Sequence, residues 1–217
     1  MQVAARIDQA KYDVFRWRYE LSIPKKVVLS FGMAALTGLL AQVRVINPLM
    51  PDIPVTGQTF AVFLAAVLLG KWWGGVSMAI FAGLGFMGVP WFSGWASGLG
   101  ATRGYIIGFI PAALFVGYFT DKYIRSRSFF SMLILMLLAN FILIWIPGLI
   151  WRVLWLNLVV GTGTPVTFLG SLAGSVTYIP GDIIKAVAAA AIARGVTPKS
   201  AYNGEIDKDK WASWRLP

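Results

Sequence analysis

From Val166 to Ala193 the chain is apolar except for one acid, Asp182, and one base, Lys185. A run of this length without other charge is a membrane span, and an ion placed inside one costs on the order of 3 kcal/mol. Such residues need a partner, a cavity or a function. Pro180-Gly181 stands just before them. Proline lacks a backbone N–H and suits only the first turn of a helix, so the helix breaks and restarts there. A break, an acid and a base at one depth point to a polar ligand site. Their i, i+3 spacing equally permits mutual neutralisation on one helix face.

The rest of the chain agrees with a membrane setting. It is 58% hydrophobic and 13% charged, with mean hydropathy +0.70, whereas a soluble domain carries about 25% charged residues. The apolar runs are long rather than alternating, so spanning helices are expected and a barrel is not. The absence of cysteine and histidine excludes disulfides, thiolate chemistry and imidazole ligation. No signal peptide is expected, because the first apolar run begins near Val27 behind a charged segment. The net charge of +10 resides mainly between and beside the apolar runs, which reads as topology and not as nucleic-acid binding.

The expected fold is an all-α integral membrane protein of six transmembrane helices. Residues 1–25 are expected to form an amphipathic helix at the cytoplasmic interface, 26–194 the membrane substrate-binding domain, and 195–217 a charged cytoplasmic tail. In the first segment Val3, Ile7, Ala10, Val14, Trp17 and Leu21 make an apolar stripe with most charges off it, as in a surface-lying helix. The first span runs from Lys26 to Arg44 and carries Gly32, Ala34, Ala35, Gly38 and Ala41, a small-residue groove for another helix or for internal packing. The Pro-rich stretch Asn47 to Gln58 is extended. The second span, Thr59 to Lys71, is only ~18 Å long as a helix, so the residues before it must dip into the ~30 Å hydrocarbon layer. Lys71 to Gly75 reads as a turn, the third span reaches Pro90, and Trp91 to Gly100 is a loop. A fourth span from Arg103 to Thr120 contains Pro111, which is expected to kink it. A fifth span covers Phe129 to Ile146, and Leu149 to Val160 reads as interfacial. Basic residues at the N-terminus, Lys71, Lys122 to Arg127, Arg194 and Lys199 place both termini in the cytoplasm.

Helix rise tests the opening site. Asp182 lies ~18 Å of helix from Arg194, and Gln58 lies ~20 Å from Lys71. Both are therefore expected at one depth in the outer half of the membrane, with Arg103 slightly higher. Thr56, Gln58, Trp91, Phe92, Ser93, Arg103, Tyr105, Asp182 and Lys185 form the candidate binding set. Asp182 suits ligand N–H groups, Lys185 and Arg103 an anion, and the aromatics an apolar portion.

Four segments then carry a family resemblance: Pro54-Val55-Thr56-Gly57-Gln58-Thr59-Phe60, Gly88-Val89-Pro90-Trp91-Phe92, Gly104-Tyr105-Ile106-Ile107-Gly108-Phe109 and Pro180-Gly181-Asp182-Ile183-Ile184-Lys185-Ala186. In this order, from about residue 26 to 194, they resemble the BioY family, the biotin-specific S components of energy-coupling-factor (ECF) transporters. The resemblance implies a cell-membrane protein with an outward-facing biotin site, working with one membrane coupling subunit and two ATPase subunits. It also implies that the small-residue surface of the first span, with Ala34, Ala35, Gly38 and Ala41, meets the coupling subunit. Arg103 stands where many members have glycine, so its ligand role is inferred from this sequence alone.

The chain has no Gly-x-x-x-x-Gly-Lys-Ser/Thr run, so ATP hydrolysis is expected only in partner subunits and the chain itself is not expected to be an enzyme. Biotin is expected as transported ligand, with no cofactor or metal. The Asn47 to Gln58 loop is expected to act as a lid. An S component for another small vitamin and an ion-coupled secondary transporter are the competing readings. An intramembrane enzyme is a further one, but there is no second carboxylate within the spans.

Overall fold

The computed structural model describes residues 2–47, 50–161, 163–202 and 204–208. Pro48 and Leu49 of the Pro-rich stretch, and the tail from 209 onward, lie outside the described residues. Among those described, five helical stretches are long and apolar enough to cross a membrane. The first is α2 (Ile23–Leu40), preceded by α1 (Gln2–Glu20). The next, α3 (Gln58–Phe86), folds back on itself at Gly70, which has φ 79°, so it supplies two passes and the chain makes six. Gly74 in the second arm lies against Ala65 and Ala66 of the first, so close that a Cβ at residue 74 would sit 2.9 Å from the Ala66 Cα.

The reversal falls one residue before the expected turn, and Lys71 to Gly75 are helical. The Asp121 side chain explains the position. Its Oδ2 accepts from the Lys71 N–H at 2.8 Å, satisfying a donor that a helix start leaves open. The same oxygen would lie 2.6 Å from any Cβ at residue 70, so only glycine fits this left-handed corner.

α4 (Arg103–Lys122) passes through Pro111 without ending. α5 (Phe129–Leu138) continues through a π turn, Ala139–Ile144, into α6 (Trp145–Trp155) and a second π turn, Leu156–Val160. The fifth span therefore runs from Phe129 to Val160, and the expected stop at Pro147 and separate interfacial segment are not found. Pro147 cannot donate to the Leu143 carbonyl one turn back. The wide π turn absorbs the misfit, and the freed Leu143 oxygen points at Gly108 of α4, where a Cβ would be 2.4 Å away.

The last span is interrupted as the sequence implies. α7 (Phe168–Ser175) ends in a 3-10 turn, Val176–Tyr178, and α8 (Ile179–Val196) starts with Pro180 in its first turn. The all-helical expectation is amended by one hairpin. β1 (Arg44–Asn47) pairs antiparallel with β2 (Met50–Thr56), with a bulge between Val45 and Asn47. Its base is closed by the Gly57 N–H, which donates to Leu40 and Val43 carbonyls at 3.0 Å.

α1 touches the bundle along one flank of its expected apolar stripe, about a quarter turn round from the stripe's centre, and at Leu21, the stripe's last residue. Phe15 is 1% and Arg18 8% exposed, whereas Ile7, Val14 and Trp17 are more than half exposed. Arg18 donates to the Val67 carbonyl at 2.8 Å and to Asp121 at 2.6 Å, and also reaches the Tyr202 hydroxyl. The tail segment that carries Tyr202 is fastened by Arg127 to Glu205 at 2.5 Å. These contacts lie at the end of the bundle remote from the hairpin.

Candidate ligand-binding cavity

The restart of α8 puts Asp182 in the first helical turn, where a negative charge is favoured by the helix dipole. The side chain is 7% exposed, and both oxygens have protein partners while Oδ1 keeps an acceptor site to spare. Its Oδ2 accepts from Asn140 Nδ2 and Trp145 Nε1, both at 2.8 Å, and its Oδ1 pairs with Lys185 Nζ at 2.6 Å. Lys185 also donates to the Thr56 carbonyl at 3.2 Å. The acid and base thus neutralise each other and also join α8 to the π turn and to the end of β2.

The π turn explains how Asn140 and Trp145 converge. In an α-helix, residues five apart point about 140° away from each other. In a π turn the hydrogen bond runs from i to i+5 and brings them to one side. The carboxylate accepts only, so the Asn140 amide must offer its NH₂ to Asp182 and turn its oxygen elsewhere.

That oxygen faces a cavity beneath the hairpin. The lining comes from β2 (Ile53 to Thr56), α3 (Gln58, Thr59), the loop after α3 (Ser93), α4 with Thr102 (Arg103, Tyr105, Ile106, Phe109), the π turn and α6 (Asn140, Ile144, Trp145), and the α7–α8 break (Ser175, Tyr178, Asp182, Lys185). It encloses about 90 Å³, where a single water needs only ~10–15 Å³. Ile53 packs on Trp145, Leu149 and Tyr178, with Val55 and Tyr105 beside them, so the hairpin closes one side with apolar contacts.

Among the described residues, the buried side-chain atoms without a hydrogen-bond partner are Gln58 Nε2, Thr59 Oγ1, Ser93 Oγ and Asn140 Oδ1. All four residues line this cavity. Gln58 is oriented by Thr56, whose hydroxyl donates to its Oε1 at 2.9 Å, which leaves its NH₂ unpartnered. A buried polar atom with no partner costs about 1–3 kcal/mol. Four at one place, a donor, an acceptor and two hydroxyls, describe a site built for a polar molecule.

Seven of the nine expected residues, Thr56, Gln58, Ser93, Arg103, Tyr105, Asp182 and Lys185, line the cavity. Trp91 and Phe92 do not. Phe92 is fully buried against Phe81 and Phe86. Trp91 packs on Phe81 and donates to its carbonyl at 2.9 Å. They support the wall from behind. Arg103 is neither free for an anion on every side nor reaching outward. It donates to the carbonyls of Gly98 and Ser97 at 2.6 and 3.3 Å and to Thr102 at 3.2 Å, with its guanidinium 4.6 Å above the Phe92 ring.

Of the small residues in α2, Ala34, Gly38 and Ala41 are buried and turn into the bundle. A Cβ at residue 38 would meet Trp91 Cβ at 3.0 Å. Ala35 and Gly32 are exposed. Sequence reasoning missed Asn140, Trp145, Thr59, Ser175 and Tyr178. For Asn140 the signal was present, since it is the one amide within the apolar run Phe129 to Ile146.

The BioY family model matches residues 11–202. The chain belongs to the BioY family. A protein of Methanothermobacter thermautotrophicus described as a probable biotin transporter BioY is 47% identical over 158 residues, which cover 71% of this chain and 100% of that protein. The biotin transporter BioY of Rhizobium etli is 31% identical, over 74% of this chain and 90% of its own length. Among solved structures, the S component for biotin from an ECF-type ABC transporter superposes with a TM-score of 0.67 at 28% identity, covering 80% of this chain and 93% of that one. The chain is accordingly a multi-pass membrane protein of a transporter family.

Proposed function

We propose that this chain captures biotin in the cavity under the hairpin and delivers it across the membrane in complex with ECF partner subunits. The observation that carries the reading is the convergence of unpartnered Gln58, Thr59, Ser93 and Asn140 atoms on one cavity that also holds the Asp182–Lys185 pair. Biotin has two ureido N–H groups and a carbonyl, an apolar sulfur ring and a carboxylate tail. Asn140 Oδ1 and Asp182 accept from the ureido N–H groups. Gln58 Nε2 and Lys185 are the donors for its oxygen or for the carboxylate, and the Thr59 and Ser93 hydroxyls complete the polar shell. Tyr105, Trp145 and Ile53 cover the ring.

The hairpin end faces outside and both termini are cytoplasmic, in accord with the basic residues at Lys71, Lys122 and Arg194. The β1–β2 hairpin is the lid, held by Lys185 on the Thr56 carbonyl. One membrane coupling subunit meets the exposed face of α2, with Ala35 and Gly32, and two ATPase subunits supply the energy. The chain itself carries out no chemistry. Uptake of labelled biotin into vesicles tests this: it requires the partner subunits and ATP. Uptake driven by an ion gradient without them would overturn the transport mechanism.

A further inference from the structure

Gln42 follows α2 and precedes β1, at the root of the hairpin. Its amide is spent on the loop after α3 and on the last turn of α2. Nε2 donates to the Phe92 carbonyl at 3.1 Å and the Gly38 carbonyl at 3.0 Å, with the Trp91 carbonyl at 3.5 Å. Oε1 accepts from the N–H groups of Gly94 and Trp95, both at 3.1 Å. Carbonyls need a donor and N–H groups an acceptor, so only this orientation of the amide satisfies all of them.

The two N–H groups come from residues with positive φ, 74° at Gly94 and 57° at Trp95. For tryptophan that conformation is uncommon and needs support from its surroundings. Successive N–H groups of this kind make a concavity that favours an oxygen, and the Gln42 oxygen sits in it. The residue between the two sets of contacts is Ser93, whose hydroxyl is buried, unpartnered and on the cavity wall. Arg44, the first residue of β1, lies over the same loop, close enough that a Cβ at Gly94 would meet its Nη1 at 2.5 Å.

We propose that Gln42 is a positioning residue for the ligand cavity. It fixes the backbone on both sides of Ser93, holds that hydroxyl toward the ligand, and ties this wall to the root of the lid. The inference rests on the reading of the cavity as the biotin site.

A double-mutant cycle tests it, with Gln42→Ala, Ser93→Ala and the double variant titrated calorimetrically with biotin in the purified full chain. Each single variant is expected to weaken binding roughly threefold to tenfold, the range of one buried neutral hydrogen bond. The double variant is expected to bind no more weakly than Ser93→Ala alone, because Gln42 acts through Ser93. Unchanged affinity in Gln42→Ala, or losses that simply add, would overturn the proposal. Amide hydrogen exchange on the ligand-free protein gives a second measurement. In Gln42→Ala the Gly94 and Trp95 amides are expected to lose protection while the spans keep theirs. Unaltered exchange at these two amides, or accelerated exchange throughout the chain, would also overturn it. Absence of biotin binding by the wild-type chain would instead overturn the biotin reading, and the exchange result would then decide the clamp alone.

Discussion

Asn140 and Trp145, five residues apart, donate to the same oxygen of Asp182, each at 2.8 Å. The π turn between them makes this possible, and it leaves Asn140 Oδ1 directed at the cavity. Hydrogen bonds to a charged group are worth about 1.5–3 kcal/mol. Trp145→Phe removes one donor and keeps an aromatic ring at the position, and it is expected to weaken biotin binding by roughly tenfold. Asn140→Ala removes a donor and the unpartnered acceptor, so its loss is expected to be larger. Calorimetric titration, with circular dichroism to verify the fold, checks the order; an equal or smaller loss for Asn140→Ala contradicts it.

Lys185 is the cation of a pair that is mostly buried. Removing one partner of such a pair costs about 3–5 kcal/mol, whereas removing both charges is often close to neutral. Lys185→Met is therefore expected to lower the melting temperature strongly. Adding Asp182→Asn to it is expected to recover much of the loss in stability while biotin binding stays impaired. A double variant less stable than Lys185→Met would contradict this account.

The sequence exposed the pair and the break before it because charge in an apolar run is conspicuous and proline marks a helix start. Helix rise then put Gln58 at the depth of Asp182, and the two line one cavity. Asn140 was visible as an amide in a span, but its link to Trp145 was not. A 3.6-residue period points the two apart, and nothing local announces a π turn. The place of Trp91 and Phe92 just after Pro90 points to the cavity wall. Their burial behind it depends on Gly85, where a Cβ would collide with the Phe92 ring at 2.1 Å, and that contact is long-range. Composition likewise marked α2 as rich in small residues without saying which side Trp91 would occupy.

That side decides how the coupling surface is probed. Gly38→Leu, the obvious choice from the four-residue spacing with Ala34, drives a side chain into Trp91 and is expected to disturb binding and fold together. A Cβ at residue 32 would have no neighbour within 4 Å. Gly32→Leu and Ala35→Leu are expected to leave biotin binding by the isolated chain unchanged and to reduce uptake in the presence of the partner subunits. Uptake at the wild-type rate would contradict the assignment of this face.

Tyr202 provides a pH-dependent reporter of the α1 and tail contacts. Burial pushes its phenol up to about 12, and Arg18 partly opposes the rise. The unfolded value is about 10. A folded value above the unfolded one means that the contribution of these contacts to stability is fully present below pH ~10 and is lost as pH rises from there through the folded value. Absorbance titration is expected to show Tyr202 ionising after the exposed tyrosines, and Tyr202→Phe is expected to reduce the late component by one group. A late component unchanged in Tyr202→Phe would contradict it.

The central claim concerns the ligand, and calorimetric titration of the purified chain with biotin, beside other water-soluble vitamins and beside Asp182→Asn, tests it most directly. Saturable binding of biotin below micromolar concentration, absent for the other vitamins and weakened in Asp182→Asn, is the expected result. No binding of biotin in that range, or tighter binding of another vitamin, would contradict it.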